Sequence, residues 1–164
     1  MLELLKPLDI ILFDAEPYSF LHKLISWRSL DSAVHCVIVK DIEGNLYDPD
    51  FKGIVISNIS NYIGRSCQIL RYTNTTNNSQ LQSWCDSIVK TNTGYDYFQW
   101  FFGFVLGLYA NKLADSDTKW TCAELPYWMF QQNGYKLTDK EEILPMPRLF
   151  RYHKDFYTIY RGLV

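Results

Sequence analysis

Where the β-branched residues sit is the strongest constraint on what this chain can become. "DIILF" at 9–13, "HCVIVKD" at 35–41, "GIVIS" at 53–57 and "CQILRY" at 67–72 are short apolar runs bounded by polar or turn residues, which predicts strands. "IEGNLYD" follows the second run, and Gly44 with Asn45 supplies turn chemistry, so a hairpin partner is expected from about Leu46. Every one of these runs lies before residue 73. Beyond it the spacing turns helical. Ser79 can cap a helix whose inner face is Leu81, Trp84, Cys85, Ile88 and Val89, which places Cys85 in the core.

The aromatic run 97–110 reads as a second helix, and another begins near Thr121 and stops at Asn133 and Gly134. A shorter helical stretch, 19–27, separates the first two strands, with Phe20, Leu21, Leu24 and Ile25 at helical spacing. In the tail, "ILPMPRLFRYHKDFYTIYRGL", two prolines favour an extended path, and the aromatic end is expected to add a last strand or to pack on the surface. Strands first and helices after predict an α+β fold, an antiparallel sheet with helices packed on it. With 164 residues, 48% of them apolar, one domain over 1–164 with one substantial core is expected.

Several classes of function drop out. Sixteen basic residues against 18 acidic ones, with no basic run, leave no footprint for nucleic acid. The start, "MLELLKPLDIILFD", lacks the basic and apolar regions of a secretion signal, so the expectation is a cytoplasmic protein or one delivered by another route, such as a phage particle or lysis. The run 97–110 falls short of the ~20 apolar residues that a transmembrane helix needs. Its Gly103 and Gly107 suit a buried helix under a close neighbour, while an apolar lid or acyl-chain wall keeps lipid contact open. Four cysteines without a CxxC pair or zinc-like spacing argue against structural metal and against a disulfide framework.

The chemistry is concentrated in "DTKWTCAELPYWMF". Thr121 and Glu124 form a T-x-x-E capping box, which would set Cys122 at the first helical position. There the helix dipole and free N–H groups favour a thiolate and could hold an oxyanion, although Glu124 opposes the negative charge and Pro126 removes a first-turn hydrogen bond. A purely structural cysteine at a helix start is the competing reading. His35 opens an apolar strand and shares a face with Val37 and Val39, which aims its ring at either the core or a cleft; alternation sends Cys36 to the opposite face, where it reads as packing. His22 and His153 have no such setting. A histidine base needs an orienting partner, and the neighbouring strand offers "LYDPD". The hairpin register favours Asp48 over Asp50, with simple turn chemistry around Pro49 as the alternative.

The order "LDIILFD", "SAVHCVIV", "GNLYDPDFKGIVI", "ILRY", "TGYDYFQW", "WTCAELPYWMFQQNGYKL", "LPMPRLF" resembles the circularly permuted papain-like hydrolases of the NlpC superfamily. That group contains the YiiX-like bacterial proteins and lecithin:retinol acyltransferase, and the resemblance spans nearly the whole chain. It implies a permuted papain-like single domain in which Cys122 is the nucleophile, His35 the general base and Asp48 the orienting residue, with Arg71, Tyr95 and Asp96 at structural positions. Leu8 and Ala123 depart from the family's usual glycine and serine. The implied reaction is acyl transfer through a thioester, without metal or organic cofactor, on a peptide, amide or acyl substrate. The Cys122 N–H is the expected oxyanion donor, with Tyr47 or a neighbouring aromatic as a second. A cell-wall amidase or peptidase comes first among the implied activities, then an acyltransferase or lipid-acting thiol enzyme. A non-catalytic binding or virion-associated protein is the third.

Overall fold

The computed structural model describes residues 1–50, 52–73, 78–91, 94–95, 119–138 and 145–164. The expected aromatic helix over 97–110 and the position of Asp96 lie outside the described residues. Six strands form one antiparallel sheet: β1 (Ile10–Asp14), β2 (Ala33–Val39), β3 (Asn45–Asp50), β4 (Gly53–Asn58), β5 (Ser66–Tyr72) and β8 (Phe156–Leu163), in the order β4-β3-β2-β1-β5-β8. Two short strands, β6 (Gly94–Tyr95) and β7 (Lys119–Trp120), pair in parallel apart from it. The helices are α1 (Phe20–Ser29), α2 (Asn78–Lys90), α3 (Glu124–Gln132) and α4 (Pro147–Tyr152). The fold is α+β, as the patterning predicts.

Side-chain alternation divides the core. Leu12, Cys36, Ile38, Tyr47 and Leu70 face α2, α3 and α4, whereas Ile11, Phe13, Val37, Leu46 and Ile69 face the other way. The second face is closed by the N-terminal segment through Leu5 and by the β4–β5 connection, in which Ile59–Tyr62 form a 3-10 turn. That connection must cross β3, β2 and β1 to reach β5. It therefore carries its side chains over the middle of the sheet.

The β2–β3 turn ends on Gly44 at φ 83°, where a Cβ would sit 2.7 Å from Ile59 Cγ2, so only glycine fits. Leu8 adopts φ 73°, a left-handed conformation that favours glycine. Its buried side chain compensates by filling the core before β1. In the tail, Met146 is extended between the two prolines, but Pro147 begins α4, because a proline at the first helical position gives up an N–H that has no intrahelical partner. The aromatic end does add a last strand, β8, paired along β5.

Arg71 on β5 holds Asp9 in a two-pronged ion pair, with Nε and Nη2 each 2.8 Å from a carboxylate oxygen, and Nη2 also donates to the Leu4 carbonyl at 2.7 Å. The Asp9 side chain is only 1% exposed, so removing its partner would strand a buried charge. Arg71→Ala is expected to lower the unfolding free energy by about 3–5 kcal/mol, read from urea titrations. A change within ~0.5 kcal/mol would show the pair to be a surface ornament.

Candidate functional site

The site arises where β2 parts from β3. Their ladder contains Ile38 with Tyr47 and Val39 with Leu46, and continuing that register would set Pro49 opposite Cys36. A proline has no N–H to offer a ladder, and pairing stops before it. The freed Cys36 N–H is one of the groups that favour the Cys122 thiolate. On the other side of β2, the β1 register shifts between Phe13 and Asp14, so that Val34 is an extra residue beside His35. Such a bulge turns the strand locally and re-aims the next side chain.

His35 Nε2 lies 3.0 Å from Asp48 Oδ1, and the ring and the Cys122 thiol shift each other's titration. With Nε2 committed to the carboxylate, Nδ1 is the ring nitrogen left for sulfur. The structure thus brings Cys122, His35 and Asp48 together, and Asp48 is the carboxylate in contact with the ring. Asp48 is not part of a turn: β3 continues through Pro49 to pair Asp50 with Gly53. Its Oδ2 accepts from the Tyr62 hydroxyl at 2.5 Å and the Ser57 hydroxyl at 2.7 Å. Tyr62 in turn stacks on Phe13 at 4.1 Å, under the Arg65 guanidinium.

Electrostatics follow from these contacts. Burial alone would lower the His35 pKa, but Asp48 and Cys122 outweigh it and push the ring up to about 9. Cys122 is held well below the ordinary thiol range, first by the Cys36 thiol, then, against the cost of burial, by His35 and the Cys36 N–H. Cys36 moves the opposite way, through burial first and then through Cys122. Asp48 stays low despite burial, because His35, Tyr62 and Ser57 all favour its carboxylate. The arrangement can hold a thiolate beside an imidazolium.

Three expectations need correction. Cys122 is not the first helical residue: it occupies a turn, Ala123 is the cap at φ −88° and ψ −21°, and α3 starts at Glu124. Only half of the capping box forms, the Thr121 N–H donating to Glu124 at 2.6 Å, while Thr121 Oγ1 is buried with no partner among the described residues. The turn moves the cap forward by two residues, which puts Pro126 at the third helical position, where a missing N–H breaks no intrahelical bond. Tyr47 is not aimed at the thiol. Its hydroxyl donates to Asp86 of α2 at 2.9 Å, so it ties sheet to helix and is no oxyanion donor.

Cys36 does face away from the strand face of His35, yet what packs there is Cys122 itself: the Cys36 thiol donates to the Cys122 carbonyl at 2.8 Å. Tyr62, inside the polar run "NISNYIGRS", had only one signal, a lone aromatic in a connection between strands. Tyr62→Phe tests its part. Losing a hydrogen bond to a charged group costs about 1.5–3 kcal/mol, so turnover is expected to fall by roughly 10–100-fold with KM unchanged. Asp48 would then attract the His35 proton more strongly, and the alkaline limb of the rate profile should move up. A raised KM with unchanged limbs would reduce Tyr62 to packing.

No protein-family model matches the sequence, and no curated protein matches it. Among solved structures the chain is similar to one described as metalloprotein yiiX from Escherichia coli O157:H7, with a TM-score of 0.64 and 12% identity over 97% of this chain and 98% of that one. The fold is therefore YiiX-like. Among the described residues no group of three or more His, Cys, Asp and Glu side chains is placed to hold a metal ion, and no helix is long and apolar enough to cross a membrane.

Proposed function

We propose that the chain is a cysteine hydrolase of permuted papain-like architecture, acting on an amide or ester by acyl transfer. Cys122 is the nucleophile, His35 the base and later the acid, and Asp48 the residue that holds the ring. The observation that carries this reading is the His35–Asp48 contact at 3.0 Å, together with a Cys122 thiol lowered in part by that imidazole. The thiolate attacks the carbonyl carbon, the imidazolium gives its proton to the leaving group, and water attacks the thioester with His35 accepting its proton. The N–H of Cys122, next to the sulfur, is the proposed oxyanion donor. A cell-wall peptide or similar amide is the first substrate class to try.

A second reading, an acyltransferase or lipid-acting enzyme, is favoured by α1. Phe20 and Trp27, 81% and 71% exposed, lie seven residues apart on one helical face. Acyl esters therefore belong in the same screen as peptidoglycan fragments.

The reactive thiol can be tested before any substrate is known. Brief iodoacetamide treatment at neutral pH should label Cys122 ahead of the other three cysteines, all fully buried, with Cys67 and Cys85 pushed up to about 11 and about 12 by burial. Labelling should drop in His35→Ala. Equal labelling of all four thiols in the folded protein would end the catalytic reading.

A further inference from the structure

Cys36 exchanges no proton or bond in the acyl-transfer sequence, yet it is packed against Cys122 and helps to hold that thiol low. The Cys36 thiol donates to the Cys122 carbonyl oxygen at 2.8 Å, the two side chains pack in one core cluster, and each thiol shifts the titration of the other. The two residues stand 86 positions apart in sequence, so this is a tertiary contact made by folding. Their exposures differ in a useful way, 9% for Cys122 and 0% for Cys36. Both residues are buried, but the small remaining exposure belongs to Cys122, so a small oxidant is expected to meet that sulfur first.

We propose that Cys36 is a resolving thiol, and that peroxides convert the Cys36–Cys122 pair into a reversible disulfide that switches the site off. The disulfide stands on the packing of the Cys36 thiol against Cys122; its regulatory meaning rests on the hydrolase reading of Cys122. In the first step the Cys122 thiolate attacks one oxygen of a hydroperoxide, the O–O bond breaks, and sulfur is oxidised by two electrons to the sulfenic acid while the other oxygen leaves, protonated, as water or an alcohol. In the second, the Cys36 sulfur gives up its proton and attacks Cys122 sulfur. The S–S bond forms, the S–O bond breaks, and hydroxide leaves with that proton as water. A cellular dithiol reverses the bond by exchange. The consequence is protection: a sulfenic acid without a neighbouring thiol goes on to sulfinic acid, which dithiols do not reduce. Cys67 points to the other face of the sheet and cannot substitute.

The test uses the reduced full-length chain, treated with hydrogen peroxide and mapped by mass spectrometry of unreduced peptides. The expected product is one linked peptide joining Cys36 to Cys122, formed in step with loss of Cys122 alkylation and removed by dithiothreitol with full recovery. Cys122 as sulfinic acid beside a free Cys36, or a link through Cys67 or Cys85, would overturn the proposal. In Cys36→Ser, Cys122 should instead form a sulfenic acid that dimedone traps, with recovery by dithiothreitol lost; unchanged recovery also overturns it. Amide and ester turnover, measured on the reduced protein before oxidant is added, separates the two readings. A chain that forms the disulfide but turns over nothing refutes the hydrolase and keeps the thiol pair, and the reverse refutes only the switch.

Discussion

Replacing Cys122 by alanine is expected to remove turnover of whichever amide or ester the chain accepts, by roughly 10⁴-fold or more, because loss of a covalent nucleophile cannot be made good by the groups around it. The fold should survive. The change deletes one sulfur from a position beside Ala123 and Leu125 at the inner end of α3, and leaves the Thr121–Glu124 bond in place. Two further consequences separate catalysis from packing. Iodoacetamide labelling at neutral pH should disappear, since the remaining thiols are buried. His35 should lose part of its upward shift, because Cys122 is one of the groups that favour its charged form. A variant that keeps more than about a tenth of the turnover would transfer the chemistry to another residue, and Cys122→Ser offers a second check with nearly the same volume.

How much of this was legible beforehand depends on how local each signal is. Gly44 and Asn45 announced the β2–β3 hairpin because the turn needs a left-handed residue, and the hairpin then carried Asp48 toward His35. The bond from Glu124 to the Thr121 N–H was readable for the same reason, being three residues long. The position of the cap was not, because the turn through Cys122 and Ala123 is imposed by the approach of this segment to the splayed end of β2. Ser57 reaches Asp48 from β4 and Tyr62 from the connection that crosses the sheet. Local pattern says nothing about where a crossing connection will pass. Cys36 is the most instructive case, since alternation assigned its face correctly and still misjudged its surroundings. Which helix covers a strand face is a long-range matter, and here the covering segment brings the second sulfur.

Asp48→Asn is expected to cut turnover by about 10²–10⁴-fold while keeping the site assembled, because the amide oxygen can still accept from Tyr62 and Ser57. What it loses is negative charge. In the native site the reactive pair exists between two limits: below, the lowered value of Cys122, and above, the His35 value of about 9. Below the first the thiol is protonated; above the second the imidazolium proton needed by the leaving group is gone. Removing the carboxylate lowers the His35 pKa, so the alkaline limb of kcat/KM should move to lower pH. Less imidazolium beside the sulfur also raises the thiol, so the acid limb should move up. The active window therefore closes from both sides, whereas Tyr62→Phe should shift the alkaline limb the other way. Opposite displacements by two substitutions on one carboxylate are hard to obtain from loosened packing, which would lower the rate and leave both limbs where they were. An Asp48→Asn profile identical in shape to the native one would mean that the carboxylate orients nothing in the reaction, and the relay would reduce to Cys122 and His35 alone.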